Sequence, residues 1–194
     1  MVMKKLFVLP LLALAAVLAG APAQAATLEG LRFDDTTRLG SRELQLNGLG
    51  VRAVYIFKAF VAGLYLTEKA AAGPEALRQG GPKRLQLRML MEIGSDDIKK
   101  ALVDGMRKNV TDAEWAAMQE RVQRFARTID AIGVAREGDT ITLDYVPEQG
   151  LLLAVNEVPR GPAIGGADFY QALLEIFVGP DPVDTRLKNG LLGQ

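Results

Sequence analysis

Between Gly48 and Leu66 the chain reads GLGVRAVYIFKAFVAGLYL, apolar throughout except for Arg52 and Lys58. This stretch limits the fold more than any other. Each cation at the centre of a bilayer would cost about 2.5–3.5 kcal/mol, which disfavours a membrane span. Lys58 and Gly63 also interrupt any continuous apolar helix face, and the density of Val, Tyr, Ile and Phe favours extended backbone. Two buried strands, or one long bent strand, are expected. Gly63 marks a bulge or a close approach of another group to the backbone.

The first residues, MVMKKLFVLPLLALAAVLAGAPAQA, have the layout of a secretory leader: Lys4 and Lys5, an apolar run from Leu6 to Gly20, then Ala23-Gln24-Ala25 as a small-x-small cleavage site. Cleavage after Ala25 would leave one domain, residues 26–194, in the periplasm, with no integral membrane span after processing. Loss of Lys4 and Lys5 leaves a net charge of −2 on a chain that is otherwise balanced. A near-neutral chain carries no electrostatic footprint for nucleic acid.

With 0 histidines and 0 cysteines, the chain can build no His-based triad, thiol nucleophile, cysteine-held haem, iron–sulfur cluster or ordinary zinc site. Disulfides are excluded too, so the core alone must hold an exported chain together. No Walker or dinucleotide glycine motif is present. The adjacent acids Asp96-Asp97 are explained by a helix start, where they favour the dipole, and Asp34-Asp35 sits in no calcium-loop pattern. No cofactor and no metal site is expected.

Residues 30–47 read as extended structure with turns, Leu44 and Leu46 alternating with polar neighbours. A short helix is expected between the Gly/Pro breakers of 69–82. RLQLRMLMEI, 84–93, reads as a strand with Leu85, Leu87, Met89 and Met91 on one side. Ser95 is expected to cap a helix whose apolar stripe is Ile98, Ala101, Leu102 and Met106. Thr111-Asp112-Ala113-Glu114 is a capping box opening a second helix, with Trp115, Met118, Val122, Phe125 and Ile129 inward. DTITLDYV and LLLAVNEV form a hairpin around Pro147–Gly150. Helices over Asp168–Val178 and Asp184–Leu192 close the chain. Strands first and helices gathered later mean an α+β fold with helices on one face of an antiparallel sheet.

GLGVR, FKAFVAGLYL, EGDTITLDYVPEQGLLLAVNEV, IGGADFYQALLEIFVG and LKNGLLG together resemble the bacterial chalcone isomerase-like family over about Gly48 to Gly193. The resemblance implies an open-faced β-sandwich, a large antiparallel sheet covered on one face by a layer of helices. Members of the superfamily either close a flavanone ring or bind fatty acids, and both kinds use an arginine at the pocket end of this strand region. Here that position is Arg52, in G-x-G-x-R. The isomerases add a tyrosine and an asparagine on the first sheet-covering helix and two threonines elsewhere in the pocket. In this sequence the tyrosine position falls at Asp97 or Ile98, the asparagine at Asp104 or Gly105, the early threonine near Phe60 and the late one at Ile176.

Ring closure needs aimed donors for the developing enolate oxygen, and losing one costs about 2.7–4 kcal/mol of transition-state stabilisation. Phe60 and Ile176 supply no such donor, but both suit an alkyl chain. The resemblance therefore implies a ligand-binding protein for a small apolar or acidic molecule, with Arg52, Phe60, Ile98 and Ile176 as binding residues. The alternative is an isomerase or intramolecular lyase in which Arg52 is the electrophile and Tyr65 or Tyr145 the acid. Arg52 could instead form a structural ion pair with an acid such as Glu43 or Asp144. Lys58 is explained as a snorkelling strand-end residue.

Overall fold

The computed structural model describes residues 25–194. The leader and its cleavage site therefore lie outside the described residues, apart from Ala25 itself. A short hairpin, β1 (Ala25–Leu28) with β2 (Leu31–Asp34), opens the fold. β3 (Thr36–Leu39) leads into the long strand β4 (Arg42–Val54), which turns tightly into β5 (Phe57–Leu66). The constraining stretch is thus two antiparallel strands. After α1 (Gly73–Arg78) come β6 (Lys83–Met89) and the two-residue strand β7 (Ile93–Gly94). Two helices follow, α2 (Ser95–Asn109) and α3 (Asp112–Asp130). β8 (Val134–Ala135) pairs back to β7, and β9 (Thr140–Val146), β10 (Gly150–Val155) and β11 (Val158–Ile164) form a meander. α4 (Ala167–Val178) and α5 (Thr185–Leu191) end the chain.

Seven strands make one antiparallel sheet in the order β11-β10-β9-β6-β5-β4-β3. Strand alternation sorts its side chains. Ala62, Leu64, Leu85, Leu87, Ile141, Leu143, Leu151 and Leu153 enter the main core with the inward residues of the helices. Phe33, Leu44, Leu46, Val61 and Tyr65 form a smaller core on the opposite face, under the β1–β2 hairpin. The main core is the sheet–helix layer expected of this α+β fold. Among the described residues, no helix is long and apolar enough to cross a membrane.

The capping box is present as read: Thr111 accepts from the Glu114 N–H, and the Glu114 carboxylate accepts from the Thr111 N–H. Three local readings are corrected. Ser95 is the first helical residue; the cap is Gly94, with no side-chain bond. Met91 is not inward but 38% exposed, because β6 ends at Met89 and the alternation ends with it. The hairpin return stops at Val155, where Asn156 and Glu157 both take positive φ and turn the chain into β11. That third strand carries Pro159, Gly161 and Pro162, poor strand formers tolerated because it lies at the sheet edge.

At Gly63 the close-approach reading applies. A Cβ there would stand 2.8 Å from the Phe33 ring, while the bulges of the β4–β5 ladder fall at Asn47 and Ala59. Gly48 and Gly50 are required by α5. A Cβ on them would meet the carbonyl oxygens of Gly190 at 2.2 Å and Leu187 at 2.5 Å. A Cβ on Gly190 would in turn stand 2.3 Å from the Leu49 carbonyl oxygen. The glycine-rich strand and the LKNGLLG tail are two halves of one backbone-to-backbone contact. Asn47 locks it, donating to the carbonyls of Ala70 and Leu191 at 3.0 and 2.7 Å and accepting from the Ala70 N–H at 2.7 Å.

Candidate functional site

Register fixes which way Arg52 points. Gly48, Gly50 and Arg52 pair with Leu64, Ala62 and Phe60, so all three share the helix-facing side of the sheet. The glycines admit α5, and Arg52 stands where that contact ends. Beside it lies a cavity of about 210 Å³. Phe60, Leu87, Met89 and Ile141 form its floor. Ile98, Ala101 and Leu102 of α2 and Ile176 and Phe177 of α4 form its roof, and Val54 and Val183 complete the wall. Arg52 and Asp97 are its two charged lining residues, and the lining includes no hydroxyl.

Arg52, Phe60, Ile98 and Ile176, far apart in the chain, all line this cavity. Ile176 also packs on Gly105, where an added Cβ would stand 2.9 Å from it. Gly105 is one of the two positions to which the resemblance carries the isomerase asparagine, so at that position an apolar contact stands where an amide would be. The other position, Asp104, is paired with Lys100 on the helix exterior.

Nη1 of Arg52 donates to the Asp184 carboxylate at 3.0 Å and to the Ala53 carbonyl at 2.9 Å. The partner is thus neither Glu43 nor Asp144, since Asp144 is held by Arg84 through two bonds of 2.7 Å. The Arg52 side chain is 24% exposed and that of Asp184 15%, so the ion pair is only partly buried. Asp184 also caps α5, accepting from the N–H groups of Arg186 and Leu187 at 2.8 and 3.1 Å. Burial pushes its carboxyl up, but the Leu187 N–H, Arg52 and the Arg186 N–H together outweigh that and hold it below the ordinary value. Sequence reasoning placed Asp184 at a helix start and missed its ionic role, because nothing local shows that the helix start lies beside Arg52.

The two tyrosines offered as acids do not line the cavity. Tyr65 lies on the opposite face of the sheet and donates to the Asp34 carbonyl at 3.0 Å. Burial, then Asp34, pushes its phenol up to about 12. Tyr145 stacks on Tyr170 at 5.0 Å, beside Lys83, in a separate hollow. Lys58 does not snorkel into solvent unpaired: it binds Glu29 at 2.6 Å. A broader hollow of about 840 Å³ lies on the opposite side of the sheet and is lined by Arg38, Arg84, Arg88, Thr142 and Asp144. Its central cation, Arg84, is spent on Asp144 and Thr37. Among the described residues, no cluster of three or more acids could hold a metal.

A model of the chalcone isomerase-like family matches residues 25–193. The chain belongs to that family. No curated protein matches it. Among solved structures, a fatty-acid-binding protein of Arabidopsis thaliana superposes with a TM-score of 0.65 at 13% identity, covering 87% of this chain and 96% of the other. At that identity the likeness is one of fold. The chalcone isomerase-like fold therefore extends from β1 to the tail, further toward the N-terminus than the motifs between Gly48 and Gly193.

Proposed function

We propose that this chalcone isomerase-like protein is an exported, non-catalytic carrier of an acidic apolar molecule of the fatty-acid type. In this reading Arg52 anchors the carboxylate, and Phe60, Ile98 and Ile176 contact the chain. The observation that carries the reading is that Arg52 is among the lining residues of a cavity otherwise lined almost wholly by hydrocarbon. The fatty-acid-binding title of the structurally similar Arabidopsis protein supports it, and the leader pattern supports export. The isomerase alternative is weakened by a lining in which Arg52 is the one side-chain donor, because enolate stabilisation depends on several aimed donors.

Magnitudes divide the labour. A methylene occupies close to a water's share of liquid, roughly 30 Å³, so 210 Å³ holds a chain of medium length. Each buried methylene contributes about 0.8 kcal/mol, and the arginine–carboxylate pair about 1.5–3 kcal/mol. The chain sets affinity and Arg52 sets orientation.

The test is thermal unfolding with octanoate. Saturation at a hundred times Kd stabilises by about 2.7 kcal/mol, which raises the Tm of a domain this size by roughly 5–10 °C. Ile98→Trp, which fills the cavity from α2, should abolish the rise. An equal rise in both proteins, or none in the wild type, would refute the reading.

A further inference from the structure

Among the described residues, five of the seven exposed large apolar side chains gather at one place, the others being Val134 and Val158. Val54, Tyr55, Ile56 and Phe57 are 44%, 97%, 86% and 61% exposed, and Met91 is 38% exposed. The first four form the turn between β4 and β5, with Val54 paired to Phe57 across its neck. Ile56, Phe57, Leu90 and Met91 share one shallow hollow at its side. Such two-residue turns ordinarily use Gly, Asn or Asp. Here Tyr55 takes a φ of 55°, in the left-handed region that is costly for a bulky L-residue. Folding gains nothing from tyrosine and isoleucine at this tip, and hydration opposes them. Strain at Tyr55 and apolar exposure across all four residues point to an external role.

Three features select a phospholipid surface as the occupant. The patch is the narrow end of a two-stranded ribbon, a shape that enters a soft interface and offers little flat area to a second protein. An amphipathic ring beside two purely apolar side chains is the composition of interfacial anchors. The cation within the turn's own strand end, Lys58, is already paired with Glu29 at 2.6 Å, which leaves little free charge at the tip to select anionic headgroups. The patch is also continuous with the cavity, since Val54 belongs to both.

We propose that the β4–β5 tip inserts into the interface of a glycerophospholipid membrane by apolar partition and so sets the cavity mouth against the lipid surface. The docking is independent of what the cavity binds.

Flotation of the mature chain, Ala26 onward, with vesicles tests it. Phosphatidylcholine vesicles and vesicles doped with phosphatidylglycerol should bind equally, at low and at high salt. Ile56→Ser and Phe57→Ser should each lower the partition coefficient about tenfold. Tyr55→Asn should weaken binding while Tm holds or rises, because asparagine tolerates this φ; that opposition separates docking from folding. Three results would each overturn the proposal: no binding to phosphatidylcholine, binding confined to anionic vesicles and lost in salt, or tip-dependent self-association in sedimentation without vesicle binding. No fatty acid is present in the assay, so its failure is distinct from failure of the cavity reading.

Discussion

Asp184 performs two tasks with one carboxylate: it caps α5 and it neutralises Arg52. Asparagine can keep the first and not the second. Asp184→Asn should therefore leave stability within about 1 kcal/mol of wild type, since Asn and Asp cap equally well. It should also tighten carboxylate binding several-fold, because the ligand no longer shares the guanidinium. Asp184→Ala should lose the cap as well, at about 0.5–2 kcal/mol. Urea unfolding and calorimetric titration of the two variants separate the tasks. If Asp184→Asn weakened carboxylate binding, the ion pair would be holding Arg52 in its binding pose rather than competing for it. At this scale the sequence was partly legible. Arg52 was found through its motif, whereas its partner came from a residue 132 positions away that only the folded chain brings near.

The elements of the site meet because glycines let α5 lie on β4 with almost no side chain between them. Gly50→Ala would drive a methyl to 2.5 Å from the Leu187 carbonyl, a contact that backbone cannot absorb in place. Overpacking of this kind costs about 1–3 kcal/mol. The variant should lose that much in urea, and with α5 displaced it should also lose the Arg52–Asp184 contact and bind carboxylates differently from wild type. An unchanged midpoint would show that α5 does not seat on the strand as described. Both glycines are visible in the sequence as GLG, but their reason is not: periodicity speaks for a strand, and the helix that needs the space is the last in the chain. The same limit hid β11. It carries Pro159, Gly161 and Pro162, which break a local strand pattern, and only its place at the sheet edge makes them tolerable. The capping box of α3, by contrast, is set by residues three apart and was fully legible. Tyr65 and Tyr145 were plausible acids on chemistry alone. Strand alternation puts Tyr65 on the opposite face of the sheet, and Tyr145 lines a different hollow.

At the scale of the molecule, a seven-stranded sheet with helices on one face leaves a mostly hydrocarbon cavity under α2 and α4 and, in a separate hollow, a buried amine. Burial holds the Lys83 ammonium down at about 8, and it donates to the Gln79 carbonyl above the Tyr145 ring. Between pH 8 and its ordinary value near 10.5 the unfolded chain keeps a proton that the folded chain has released, so stability rises with pH there. Below 8 the penalty is present in full. Lys83→Met should flatten this rise in urea midpoints between pH 8 and 10. A slope unchanged by the substitution would show that the amine is not the group responsible. Burial, register and layer packing thus decide both the charge state of Lys83 and the placement of Arg52. The most direct measurement is a calorimetric comparison of octanoate with octanol on wild type and Arg52→Gln. Wild type should prefer the acid by about tenfold or more, and Arg52→Gln should lose that preference while still binding the alcohol. Equal weakening of acid and alcohol, or an acid preference that survives the substitution, would contradict an arginine-anchored hydrocarbon cavity.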